Sequence, residues 1–152
     1  MKASAIRHLA GAFNAPRVAA ALFERTVQLW DGQTAQQISQ FETVLSFGCH
    51  RLALSPSGEM CVAAAWQKGK RGGVTCYDAA TGAVLWHRTD IRHTQSVRFS
   101  AAGNSIWCRL EEGRLQHLSA STGETLGCSG WNHRCSGQPA FRFPITRNPR
   151  PL

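Results

Sequence analysis

A short polar loop near the middle of the chain offers the first side chains that could bind a ligand. It carries Arg88, Asp90, Arg92 and His93, and His87 directly precedes it. Imidazole and carboxylate groups that lie close together can exchange protons, while guanidinium groups bind acidic partners. An ordinary solvated loop is the competing interpretation of the same residues. We predict a binding surface here, formed by Arg88, Asp90, Arg92 and His93, rather than a catalytic centre.

A second loop is the next candidate, because Lys68, Lys70 and Arg71 crowd together in it. The whole chain is basic, with a formal net charge of +8. Such a surface can hold nucleic acid through phosphate contacts. However, no aromatic residue interleaves with the charges of this loop, and base stacking usually accompanies single-strand binding. A solvated basic loop is therefore favoured, and nucleic-acid binding is kept as an alternative.

The sequence lacks the short motifs that accompany common catalytic sites. It contains no glycine-rich phosphate loop, no G-x-S-x-G nucleophile turn and no H-E-x-x-H zinc helix. Glu111 and Glu112 are adjacent, so on a strand their carboxylates would point to opposite faces. Cys128, His133 and Cys135 lack the tight paired spacing of a zinc site. We expect no catalysis, no cofactor and no metal ion.

Composition sets the class of protein in which any such loop must be held. The chain has 152 residues, of which 43% are hydrophobic and 17% charged, and this balance is typical of one globular domain. It has no run of about 18 apolar residues, so no membrane span is predicted. Polar residues interrupt the apolar stretch near the N-terminus, which argues against a secretory signal. We therefore expect a cytoplasmic protein.

An internal repeat is the strongest pattern in the sequence. Three similar hairpins begin at Val27 (VQLWDGQTAQQI), Val74 (VTCYDAATGAVL) and Leu115 (LQHLSASTGETL), at spacings of 47 and 41 residues. Between them, HRLALSPSGEMCVAAAW from His50 matches QSVRFSAAGNSIWCRL from Gln95, at a spacing of 45. Each hairpin is thus one half of a four-strand unit, and periods of this length indicate a repeat architecture.

The repeat predicts an all-β fold of about three four-stranded antiparallel units within residues 1–127. The units cover about 5–40, 50–88 and 95–127, and the second is the most complete. Residues 128–152 form an atypical basic tail that is rich in proline and arginine. Glycines fall at the predicted turns, where a positive φ is cheap only for glycine.

Three stretches of this repeat resemble known families. Leu29–Asp31 is similar to the end of a WD-repeat, and Ser55–Gly58 is similar to the turn of the same family. Asp78–Trp86 resembles the repeat of pyrroloquinoline-quinone dehydrogenase-type propellers. Both families are β-propellers, so the resemblance implies blades in which an Asp opens the turn, Thr-Gly closes it and a Trp docks on the next blade. On this pattern the repeat residues are Trp30, Asp31, Asp78, Thr81, Gly82, Trp86, Thr122 and Gly123.

The chain also departs from those families. Leu126 is placed where Trp86 would repeat, so the docking pattern is predicted to be incomplete in the third unit. Propellers usually have four to eight blades, since closing the ring removes exposed sheet edges. About three blades give a partial propeller. The sequence is then either a piece of a longer propeller or one of several chains that complete a ring.

Function follows from this fold only in outline. A propeller offers a rigid platform whose loops and edges hold other proteins, so we expect a non-catalytic protein-interaction module. Its partners would be other proteins or further copies of the same chain, since open sheet edges can accept a strand. Two alternatives remain. One is a fragment of a quinone-dependent dehydrogenase-like propeller, and the other is a basic accessory protein that binds nucleic acid.

Overall fold

The computed structural model describes residues 5–44, 49–65 and 72–129. In these ranges twelve strands form three four-stranded antiparallel sheets, here called blades 1 to 3, and a single 3₁₀ turn covers Glu111–Gly113. This confirms the predicted all-β architecture of three blades. Lys68, Lys70, Arg71, His133 and Cys135 lie outside the described residues, as does most of the basic tail. No helix in the described part of the chain is long and apolar enough to cross a bilayer.

Each blade is a meander in which consecutive strands pair. Blade 1 contains β1 (Ile6–Gly11), β2 (Arg17–Leu22), β3 (Thr26–Asp31) and β4 (Gln37–Glu42). Blade 2 contains β5 (Arg51–Leu54), β6 (Met60–Ala65), β7 (Gly73–Asp78) and β8 (Val84–Arg88). Blade 3 contains β9 (Thr94–Phe99), β10 (Ser105–Leu110), β11 (Leu115–Ser119) and β12 (Thr125–Ser129). The first strand of every blade is the inner one, because β5 packs beside both β1 and β9.

Blade 2 is buried on both faces, and its sequence shows why. Every residue of β6 from Cys61 to Ala65 is buried, so the strand is a continuous run of small apolar side chains. Because side chains alternate between faces, Cys61, Ala63 and Ala65 pack toward blade 1, while Val62 and Ala64 pack toward blade 3. Small residues let neighbouring sheets approach closely.

The interface between blades 1 and 2 is centred on Tyr77, which is fully buried. Its ring centroid lies 5.0 Å from that of Phe41, and its hydroxyl accepts a hydrogen bond from the backbone N–H of Val44 at 3.0 Å. Burial raises the pKa of the Tyr77 phenol, so it remains a neutral packing group. Leu29 and Val27 of β3 complete this apolar cluster.

The interface between blades 2 and 3 is centred on Trp86. Its indole Nε1 donates to the backbone carbonyl of Ala120 at 2.8 Å, and only 8% of the residue is exposed. Ile106, Cys108 and Leu118 of blade 3 pack against the same cluster. Full burial of one such aliphatic side chain contributes about 1.5–3 kcal/mol, so this contact fixes blade 3 on blade 2.

The hairpin turns that join the third and fourth strands are built alike. Asp78 Oδ1 accepts from the backbone N–H and the hydroxyl of Thr81 at 2.8 and 2.9 Å, and these bonds hold the pKa of Asp78 below its usual value. Asp31 accepts in the same way from the N–H groups of Gln33 and Thr34 at 2.8 Å. Ser119 takes this position in blade 3.

One register prediction was wrong. Gly127, not Leu126, stands opposite His117 in β11, just as Trp86 stands opposite Cys76 in β7. The spacing of 41 residues between the second and third hairpins also leads from Trp86 to Gly127, so the predicted position was misaligned by one residue. The third blade therefore has no side chain at the docking position.

Candidate binding surfaces

Arg88 belongs to a joint between blades rather than to an open loop. Its Nε and Nη2 atoms bind the two carboxylate oxygens of Asp90 at 2.7 and 2.5 Å. Its Nη1 atom donates to the backbone carbonyl of Gly123 in blade 3 at 2.6 Å. The bonds to Asp90 raise the pKa of Arg88. Arg88 and Asp90 therefore have a structural use, whatever else they bind.

The rest of this loop is anchored by Ile91, which is 1% exposed. Arg92 is exposed beside it. His93 has a left-handed φ of 58°, its carbonyl accepts from the N–H of Glu111 at 3.0 Å, and its Nδ1 lies 3.4 Å from the Glu111 carboxylate. His87 takes a different direction, since its Nδ1 bonds the Thr75 hydroxyl at 2.6 Å. The loop thus presents Arg92 and His93 at the surface.

The repeat residues serve the blade joints and turns. Gly82 and Gly123 have φ values of 74° and 72°, and a side chain on either would collide with an aromatic ring of the preceding blade. The ring is Phe41 at Gly82 and Trp86 at Gly123. Thr122 donates its N–H to Ser119 at 3.4 Å within the corresponding turn. Gly82, Thr122 and Gly123 therefore maintain the turns and the joints.

The described cysteines with free thiols offer no nucleophile. Cys49, Cys61, Cys76 and Cys108 are all buried. Burial raises the pKa of Cys49, Cys76 and Cys108 to about 12 and that of Cys61 well above its ordinary value. The reactive form of cysteine is the thiolate, and it is disfavoured in such surroundings. The four thiols act as small core residues.

A concave groove runs along the inner strands β1, β5 and β9 and the turns that follow them. We call it the inner groove, and its volume is about 570 Å³. Apolar side chains contribute much of its wall, including Leu9, which is 59% exposed, and Phe13, which is 90% exposed. Exposed apolar side chains in a concavity are typical of a binding surface.

The charge of the inner groove is positive. Arg51 and Arg98 line it together with His8, and none of the described lining residues is a carboxylate. Arg51 is held in place because its Nε donates to the carbonyl of Gln95 at 2.5 Å and its Nη1 to that of His50 at 2.8 Å. Burial and the charge of Arg51 lower the pKa of His8. The permanent charge of the groove therefore comes from the two arginines.

The inner groove is not visible in the sequence. His8, Arg51 and Arg98 each lie on the inner strand of a different blade, at separations of more than forty residues. No local motif connects them. The available signal was their place in the repeat, since all three fall on the first strand of a unit.

The fold and its joints define the class of the chain, which is a partial β-propeller of three blades. A solved structure, the crystal structure of BamB from Moraxella catarrhalis, is similar to it with a TM-score of 0.68 and 13% sequence identity. The match covers 83% of this chain but only 37% of the BamB chain. At this identity the likeness shows the fold alone. No protein-family model matches the sequence, and no curated protein matches it at a significant level.

Proposed function

We propose that this chain is a non-catalytic protein-interaction module and that the inner groove is its binding surface. One observation supports the proposal most strongly. The groove combines exposed apolar side chains, above all Phe13 and Leu9, with Arg51 and Arg98 and with no carboxylate among its described lining residues. An extended segment that carries both apolar and acidic side chains fits this pattern.

The finer features of the proposal rest on the sequence. The WD-repeat resemblance of Leu29–Asp31 and Ser55–Gly58 favours a scaffold role, and the absence of catalytic motifs favours binding without chemistry. A cytoplasmic location is also part of the proposal. Fractionation of the native protein from its source cells tests that location.

A peptide selection on the purified protein tests the groove. Random twelve-residue peptides displayed on phage would be selected against the wild type, and the affinities of the enriched peptides would then be measured for two variants. Phe13→Ser removes an apolar side chain from the groove without disturbing the core. Phe23→Ser is the matched control, since Phe23 is also exposed but does not line the groove.

We expect enriched peptides to contain acidic and apolar residues and to bind Phe13→Ser at least tenfold more weakly. Their affinity for Phe23→Ser should stay within about twofold of the wild type. Arg51→Gln should also weaken peptide binding. Its loss of affinity should be larger at low salt than at high salt, because ions screen exposed charges. Enriched peptides that bind all variants equally well would reject the groove as the binding surface.

A further inference from the structure

The outward face of blade 3 differs from that of blade 2 at matched positions. In blade 2, Ala53, Val62, Ala64 and Cys76 point toward blade 3 and are packed against it. The strand registers assign the same four places in blade 3 to larger or charged residues. These are Arg98, Trp107, Arg109 and His117.

The centre of this face is an aromatic platform. The rings of Trp107 and His117 stack with centroids 4.0 Å apart and with an angle of 8° between their planes. Trp107 is 40% exposed, whereas Val62 at the equivalent place is fully buried. The stacked pair takes the place of the small side chains through which blade 2 packs closely against blade 3.

Positive charge borders the platform. Arg98 stands directly opposite Trp107 on β9, and Arg109 is two residues further along β10. The Nη2 atom of Arg109 donates to the side-chain oxygen of Gln95 at 3.0 Å, which holds the guanidinium at the edge of the face. Among the described residues, the outward positions of β9, β10 and β11 hold no carboxylate.

We propose that this face of blade 3 binds single-stranded nucleic acid. A base would stack on Trp107, and Arg98 and Arg109 would contact phosphates on either side. Exposed aromatic rings beside arginines on a sheet surface supply the two terms that such binding needs, namely base stacking and charge neutralisation. The site shares Arg98 with the wall of the inner groove, but its stacking surface is on the outward face of blade 3 and does not include the loop of Lys68–Arg71.

Fluorescence anisotropy with a labelled twenty-nucleotide oligo(dT) tests the proposal on the full chain. Trp107→Leu should weaken binding about 5- to 150-fold, which is the range expected for loss of one stacked base. Trp30→Leu is the matched control, because Trp30 lies on β3 of blade 1. Arg109→Gln should reduce the slope of log affinity against log salt concentration by about 0.7. Thermal melts of every variant verify that the blades remain folded.

Three results would overturn the proposal. The first is no binding of oligo(dT) by the wild type at low salt. The second is an equal loss in Trp107→Leu and Trp30→Leu. The third is displacement of the oligonucleotide by polyglutamate of the same charge at equal concentration, which would assign the face to an acidic protein instead. Loss confined to Trp107→Leu and Arg109→Gln, with polyglutamate a weak competitor, supports a nucleic-acid site.

Discussion

The two joints between blades share one frame but use different side chains. In both, the fourth strand of one blade donates a hydrogen bond to the hairpin of the next, at Ala79 in blade 2 and Ala120 in blade 3. The donor is the Ser39 hydroxyl in the first joint, at 2.6 Å, and the Trp86 indole in the second, at 2.8 Å. The registers place Ser39 opposite Leu29 just as Trp86 stands opposite Cys76.

The difference lies in how the space beside the donor is filled. Trp86 both donates the hydrogen bond and covers Gly123, whereas in the first joint Ser39 donates and Phe41 covers Gly82. The second joint also has the bond from Arg88 to the Gly123 carbonyl. Trp86 alone therefore supplies most of the stabilising contact of the second joint, whereas Ser39 and Phe41 share that of the first. This predicts unequal sensitivity to single substitutions.

Removing the large rings should produce the largest effect. Trp86→Ala should lower the free energy of unfolding by about 3–5 kcal/mol, because a buried indole is lost and a cavity remains. Phe41→Ala should cost about 1–3 kcal/mol, since Phe41 is only partly buried. Urea unfolding at 25 °C measures both. Equal losses would show that the two joints are energetically alike.

The glycine beneath the ring gives the next largest effect. A Cβ at Gly123 would lie 2.5 Å from Cδ2 of Trp86, and the backbone there has a φ of +72°. Gly123→Ala should therefore cost about 2–5 kcal/mol from backbone strain and overpacking combined. Gly113→Ala is the control, because its φ is +75° but nothing lies within 4 Å. It should cost only about 1–2 kcal/mol. An equal loss of stability in Gly123→Ala and Gly113→Ala would mean that the clash with the Trp86 ring adds nothing to the cost of backbone strain.

The donor of the first joint can be removed without touching its ring. Ser39→Ala leaves the Ala79 carbonyl without this partner and should cost about 0.5–1.5 kcal/mol in urea unfolding. Ser121→Ala, on an exposed turn, serves as the control and should change stability by less than about 0.5 kcal/mol. A loss at Ser121 as large as that at Ser39 would remove the special role of the Ser39 hydroxyl.

Ala35 allows a small gain of stability. It occupies the turn position that Gly82 and Gly123 hold in the other blades, and its φ is 56°. Ala35→Gly removes the strain of an alanine in the left-handed conformation, while the extra glycine makes the unfolded chain more flexible. The first effect is the larger, so we expect the free energy of unfolding to rise by about 0.5–1 kcal/mol. The melting temperature should rise by about 1–4 °C. A lower melting temperature would contradict the assigned strain.

The smallest predicted effect is a pH dependence from His8. Its pKa is lowered in the folded state by burial and by the charge of Arg51, so the unfolded chain takes up a proton first as the pH falls. Stability should therefore decrease as the pH falls below the ordinary pKa of about 6.5. His8→Gln should flatten the urea midpoint between pH 7 and pH 5. An unchanged slope in that variant would exclude His8 as the cause.

The fold was predictable because each blade repeats the same hairpin. The stretches from Val27, Val74 and Leu115 mark the third strand of every blade, and local alternation is enough to recognise them. The joints were less visible. Arg88 was expected at a loop surface, yet its partner Gly123 is 35 residues away in the next blade. Contacts of that range come from blade stacking, which no local pattern encodes.

The candidate surfaces were hidden for related reasons. Arg51 and Arg98 meet only because inner strands of successive blades lie side by side. Trp107 does not pack between the described blades as Trp86 does. It faces outward instead, because it is at the place of Val62 on the far side of its own blade. Side-chain direction depends on register, and one residue of offset reverses it.

The central claim is that the blades are separate units held together at these joints. Native-state hydrogen exchange of Trp86→Ala, measured by mass spectrometry, tests this claim most directly. We expect the amides of β9–β12 to lose protection in this variant while those of β1–β4 keep it. Phe41→Ala should show the reverse pattern, in which the amides of β1–β4 lose protection and those of β9–β12 keep it. A uniform loss of protection across all three blades in both variants would contradict the account, because the chain would then unfold as one unit.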